Sequence, residues 1–128
     1  WMNGTRLRVS GRRKMIESIF ATGIPFGGNG KLPAALQDFA RIAPVSAGIR
    51  RFGSAALDLA YVAAGRVDGY WERDIKAWDV AAGILMVKEA GGFVETIRGE
   101  GPVVDAGNIV CGNAALFPEF AALVRARD

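Results

Sequence analysis

Between Asp79 and the pair Gly91-Gly92 runs a helix-length stretch with almost no polar surface: Val80, Ala81, Ala82, Gly83, Ile84, Leu85, Met86 and Val87 follow one another without a charge. A helix that is apolar over most of its circumference has to be covered on several sides. Ala81, Ala82 and Gly83 leave room for that packing to be close. The chain must therefore build layers on either side of this helix.

The flanking patterns supply the layers. Residues 6–10 alternate as a short strand after the turn Asn3-Gly4, a hairpin signal. Residues 15–22 read as a strand, and Pro33 suits the first turn of a helix reaching about residue 43. Residues 49–52 predict a short strand, and 55–64 a helix closed by Gly65 in the position after its C-cap. A strand over 67–72 precedes the apolar helix over 79–90, and strands over 93–97 and 109–111 flank a turn-rich segment, 98–107. Residues 114–127 predict a closing amphipathic helix with Leu116, Phe120, Leu123 and Val124 on one face. Repeated alternation of strands and helices argues for a layered α/β sandwich. Because the chain opens on a hairpin signal, the sheet is expected to be mixed. The chain's 128 residues, 51% apolar and 23% charged, suit one domain over residues 1–128 with a real core. No apolar run is long enough to span a bilayer, so no membrane partner is expected.

Composition removes several chemistries. The chain has no histidine and a single cysteine, so it cannot by itself assemble a Ser-His-Asp triad, a Cys-His pair or a histidine- or thiolate-ligated zinc site. Cys111, in an apolar stretch, reads as a buried strand cysteine, and a reduced, cytoplasmic setting is expected. Carboxylates, hydroxyls, Lys, Arg and backbone amides remain, and carboxylates suit Mg²⁺-like ions that demand oxygen ligands. The net charge of +3 is modest, and its densest cluster (Arg6, Arg8, Arg12, Arg13, Lys14) reads as a solvated hairpin. No aromatic residues interleave with it as a nucleic-acid surface would require.

Several segments resemble ligand loops. In the glycine-rich loop 23–31, Gly30-Lys31 is followed by Leu32 and Pro25 occupies the place of the first glycine, so it is not a P-loop. Around Gly53-Ser54-Ala55 a strand ends, the backbone turns and a helix starts. Small side chains and unpaired N–H groups there would admit a hydroxyl or phosphate, while ordinary helix capping by Ser54 explains the same pattern. Asp58, one turn further, reads as a structural hydrogen-bonding residue. Glu72 ends a strand and Asp79 opens the apolar helix, so both can be aimed rigidly into a cleft. At that position the macrodipole favours an ionised Asp79; helix cap and metal ligand both fit it. Asp74 and Lys76 read as exposed.

Trp78-Asp79-Val80-Ala81-Ala82-Gly83, continuing to Glu89-Ala90-Gly91-Gly92, resembles the carboxy-terminal signature of the inositol monophosphatase family. Asn3-Gly4, Gly53-Ser54-Ala55-Ala56 and Tyr70-Trp71-Glu72 match further family segments in order and spacing, and residues 50–69 are most similar to bacterial SuhB-type members. The resemblance implies the carboxy-terminal half of that family's α-β-α-β-α fold. It implies Asp79 as a ligand of catalytic Mg²⁺ that also lies near substrate hydroxyls, Glu72 as the group that hydrogen-bonds the polyol ring, and Gly53, Ser54 and Ala55 as the backbone lining the substrate pocket. The implied reaction is hydrolysis of a phosphate monoester, most simply an inositol monophosphate, by metal-activated water. Histidinol phosphate, a nucleotide or fructose bisphosphate are alternative substrates on the same fold. The resemblance also implies inhibition by Li⁺, a homodimer, and, for SuhB-type members, a regulatory association with the transcription machinery. The family's other metal elements, a Glu and an Asp-Pro-[Ile/Leu]-Asp-Gly-Thr motif, do not occur in these residues. With Trp1 opening the sequence, an amino-terminal continuation is expected, and the 128 residues alone are expected to be inactive.

Overall fold

The computed structural model describes residues 7–23, 32–75, 77–99, 101–103 and 107–126, and the side chains of residues 77–79 lie outside that set. The strands are β1 (Ile19–Thr22), β2 (Gly48–Arg50), β3 (Gly69–Glu72), β4 (Phe93–Glu95) and β5 (Ile109–Gly112). The helices are α1 (Leu32–Ile42), α2 (Ala55–Ala63), α3 (Ala77–Glu89) and α4 (Phe117–Arg125). The strands form one mixed sheet in the order β2-β1-β3-β5-β4. β1 runs parallel to β2 and β3, while β5 is antiparallel to both β3 and β4. The mixed α/β sandwich expected from the sequence is what forms.

Strand alternation sorts the core into two layers. Ala21, Tyr70, Ile109 and Cys111 point to one face, where they meet Leu59, Val62 and Ala63 of α2 and Val80, Ile84 and Val87 of α3. Phe20, Trp71 and Val110 point to the other, against Ile42 of α1 and Phe120, Ala121 and Val124 of α4. On this second face Phe20 stacks on Phe120 with ring centroids 4.4 Å apart. α2 and α3 approach so closely that a Cβ on Gly83 would lie 2.7 Å from Leu59 Cβ. Cys111 is buried, as its strand position predicts, and burial pushes its thiol well above the ordinary range. Among the described residues no helix is long and apolar enough to cross a membrane.

Several expectations are corrected. Residues 7–10 form no strand; the segment is held by isolated bonds, such as Val9 N–H donating to the Ala90 carbonyl (3.0 Å) and the Ser10 hydroxyl donating to Asp68. Asn3-Gly4 and Arg6 lie outside the described residues. The strand expected over 15–22 starts only at Ile19, because Met15–Glu17 coils into a 3₁₀ turn. Ser18 N–H closes that turn onto the Met15 carbonyl (2.9 Å), and the Ile19 N–H is taken by Asp68 Oδ2 (2.8 Å). α3 starts at Ala77, which places Asp79 third in its first turn rather than at its cap. α3 is covered on several sides, as expected, but not all round. Ala81, Ala82 and Leu85 are exposed, Leu85 to 58%, because the helix meets the sheet and α2 but nothing among the described residues lies on its outer face.

Candidate functional site

Three parallel strands deliver their carboxyl ends to one edge of the sheet, at Thr22, Arg50 and Glu72. The chain leaves β1 toward α1 on one face, and leaves β2 and β3 toward α2 and α3 on the other. Neighbouring strands whose connections part to opposite faces open a crevice at their carboxyl ends, the usual ligand position in an open α/β sheet.

Glu72 stands in this crevice. It shares a strand face with Tyr70, whose hydroxyl donates to Glu72 Oε1. Burial first, then the neighbouring Glu72 carboxylate, push the Tyr70 phenol far up, so it stays protonated and a donor. The Glu72 carboxylate also lies against the backbone of Gly23, where a Cβ would sit 2.3 Å from its carboxyl carbon. Any side chain at position 23 would displace Glu72. Tyr70 belongs to the Tyr70-Trp71-Glu72 segment, and the period of two along β3 places it beside Glu72, whereas no motif marks the Gly23 contact.

Across from Glu72, the segment after β2 turns at Gly53, whose φ of +83° favours glycine. Gly53 and Ser54 are exposed and Ala55 is half-buried. Ser54 caps α2, its Oγ accepting from Leu57 N–H (3.3 Å). The hydroxyl proton is not used by that bond, so capping and ligand contact by Ser54 are compatible. One turn on, Asp58 is 1% exposed. Its Oδ1 is the one buried side-chain polar atom with no hydrogen-bond partner among the described residues. The hydrogen-bonding role expected of Asp58 is not met at its Oδ1 among the described residues. Burial and then the nearby Glu72 raise its carboxyl to about 7, against a smaller opposing effect of Arg51. The structure therefore brings the start of α2 and the end of β3 together, with Asp58 between them. Arg50 and Arg51 are exposed, whereas Asp74, expected to be exposed, is half-buried. The side chain of Asp79, all of Lys76 and most of the glycine-rich loop lie outside the described residues.

The whole of this arrangement, residues 1–128, matches the model of the inositol monophosphatase family. The chain belongs to that family. An inositol-1-monophosphatase of Rhizobium meliloti is 50% identical over 113 residues, 88% of this chain and 42% of that protein. A Nus factor SuhB of Pseudomonas aeruginosa is 48% identical over 118 residues, 91% of this chain and 44% of that one. Among solved structures, the extragenic suppressor protein suhB of Bartonella henselae superposes with a TM-score of 0.93 at 42% identity, over 100% of this chain and 50% of that one. An inositol monophosphatase from Anabaena superposes with a TM-score of 0.86 at 34% identity, over 97% of this chain and 49% of that one. This inositol monophosphatase family chain thus spans about half the length of the relatives it matches.

The family is generally metal-dependent. Among the described residues no group of three or more Asp, Glu, His or Cys side chains is assembled that could hold a metal ion. Hard cations need several oxygen ligands, so these residues do not form a Mg²⁺ cage by themselves.

Proposed function

We propose that this chain is the carboxy-terminal, substrate-facing part of a Mg²⁺-dependent phosphoric monoester hydrolase, with an inositol monophosphate as the preferred substrate. The single observation that carries the reading is the Glu72 carboxylate, held by Tyr70 and Gly23 at the carboxyl ends of the parallel strands and facing the start of α2. An ionised carboxylate at a crevice mouth accepts hydrogen bonds from ring hydroxyls, and charge-assisted bonds of that kind are among the stronger ones. Gly53, Ser54 and Ala55 line the opposite wall, where small side chains and helix N–H groups admit a hydroxyl or phosphate oxygen. Asp79, in the first turn of α3, serves as this chain's metal ligand and touches the substrate. The remaining ligands come from the other half of a longer protein, which lies on the exposed outer face of α2 and α3. The setting is cytoplasmic, consistent with one unpaired, buried cysteine, and the assembled protein is a homodimer inhibited by Li⁺.

A second reading is favoured by the names of the SuhB relatives, called Nus factors: a regulatory role at the transcription machinery. One experiment addresses both. Phosphate release from inositol 1-phosphate is followed with Mg²⁺ for the full-length protein, for its Asp79→Asn variant and for these 128 residues alone. The expected outcome is turnover by the full-length protein only. Turnover by the 128 residues alone would sink the half-site reading. Retention of a cellular role by Asp79→Asn, with phosphatase activity gone, would favour the regulatory reading.

A further inference from the structure

On the face of the sheet opposite Glu72 lies a charged cluster that none of the site residues explains. Asp38, on α1, is fully buried, and two arginines converge on it. Arg73 Nε donates to Asp38 Oδ2 (2.5 Å) and its second nitrogen to Oδ1 (3.0 Å), a two-pronged pair. Arg41 donates to the same Oδ1 (2.6 Å). Both guanidinium groups then reach the last turn of α4: Arg41 donates to the Leu123 carbonyl (2.8 Å), and Arg73 to that of Val124 (3.1 Å). The cluster therefore ties α1, α4 and the end of β3 to one another.

Its place in the chain is informative. Arg73 immediately follows Glu72, and successive residues of an extended chain point to opposite faces. While Glu72 faces the crevice, Arg73 is anchored behind it, at the point where β3 gives way to the connection leading to α3. A buried ion-pair cluster contributes little net stability relative to apolar packing, since desolvation offsets its attraction. A planar guanidinium gripping both oxygens of a fully buried carboxylate does restrict position and angle. We infer that Asp38 and Arg73 are positioning residues that fix the end of β3, so that the Glu72 carboxylate meets the ring hydroxyls of a phosphorylated polyol. This inference rests on the proposed role of Glu72.

The test uses the full-length protein and two substrates, inositol 1-phosphate and p-nitrophenyl phosphate, which has no ring hydroxyls. Four proteins are compared with the parent: Glu72→Gln, Arg73→Met, Asp38→Asn and the double variant Glu72→Gln/Arg73→Met. Losing one hydrogen bond to a charged group corresponds to about tenfold in kcat/KM. Arg73→Met and Asp38→Asn are expected to lower kcat/KM for inositol 1-phosphate by about that factor, mainly through KM, with p-nitrophenyl phosphate changed less than about twofold. The double variant should be no worse than Glu72→Gln alone, the signature of two residues acting as a unit. Equal losses on both substrates, or effects of Glu72→Gln and Arg73→Met that simply multiply, would overturn the positioning role while leaving Glu72 in place. If Glu72→Gln itself leaves inositol 1-phosphate turnover unchanged, the role of Glu72 and the clamp fall together. Should Arg73→Met fail to fold, Arg73→Lys keeps the charge and removes the two-pronged geometry, and it must show the same substrate-selective loss.

Discussion

Asp58 sits one turn past the Ser54 cap, almost fully buried, with its Oδ1 unpartnered among the described residues and the Glu72 carboxylate nearby. Its folded-state carboxyl is raised from 3.8 to about 7. A carboxyl with a raised folded value holds its proton in the native chain over a range where the unfolded chain has lost it. Stability is then highest below the unfolded value, falls as pH rises, and the cost is complete above the folded value, near neutrality. Thermal melts of the 128-residue chain by circular dichroism, in a chelating buffer, should show Tm falling between about pH 4 and about pH 7. Asp58→Asn carries no charge to desolvate and should flatten that fall. Parallel pH profiles for the two proteins would assign the dependence elsewhere. The sequence made Asp58 visible as a carboxylate inside an apolar helix, but its nearness to Glu72 depends on where β3 puts that carboxylate, which no local pattern contains. Tyr70 was more legible, because a strand's period of two sets it beside Glu72.

The pairing of α2 with α3 is governed by one small residue. A Cβ at Gly83 would stand 2.7 Å from both Leu59 Cβ and Cδ1, and Leu59 is itself fully buried. Gly83→Ala gains about 1 kcal/mol of helix propensity, whereas overpacking a filled core costs about 1–3 kcal/mol. A net destabilisation of about 1 kcal/mol is expected from urea unfolding of the chain. Combining it with Leu59→Ala should cost less than the sum of the two single changes, since the smaller residue makes room; strict additivity would show that the contact is slack. Element boundaries were legible where a cap marks them. Ser54 and Gly65 bracket α2 much as expected, with Ala63 its last helical residue. They were not legible where tertiary hydrogen bonds decide. β1 starts late because Asp68, far along the chain, takes the Ile19 N–H (2.8 Å), and α3 starts two residues ahead of Asp79, so the aspartate that read as a cap lies inside the first turn.

At the scale of the molecule, both helical layers expose apolar side chains. α1 is tied to α4 by a buried charge cluster yet exposes Leu32, Leu36 and Phe39, while α2 and α3 present Leu57, Ala81, Ala82 and Leu85 outward. The covering on several sides expected of the apolar helix is supplied by the sheet and α2, and its outer side stays exposed. The relatives it matches are about twice as long, and the proposed function places their additional length on this face. That placement predicts a difference between two forms of the protein. Leu85 is 58% exposed in these 128 residues, so Leu85→Glu should change their unfolding free energy by less than about 0.5 kcal/mol. In the full-length protein the same glutamate would be buried without a partner, and burying an unpaired charge is strongly destabilising. Its Tm should drop by about 5 °C or more, with loss of soluble yield. Urea unfolding of the short chain and thermal melts of the long one measure the two effects. An unperturbed full-length variant would mean that the outer face of α3 stays open to solvent, and the additional length would have to lie elsewhere.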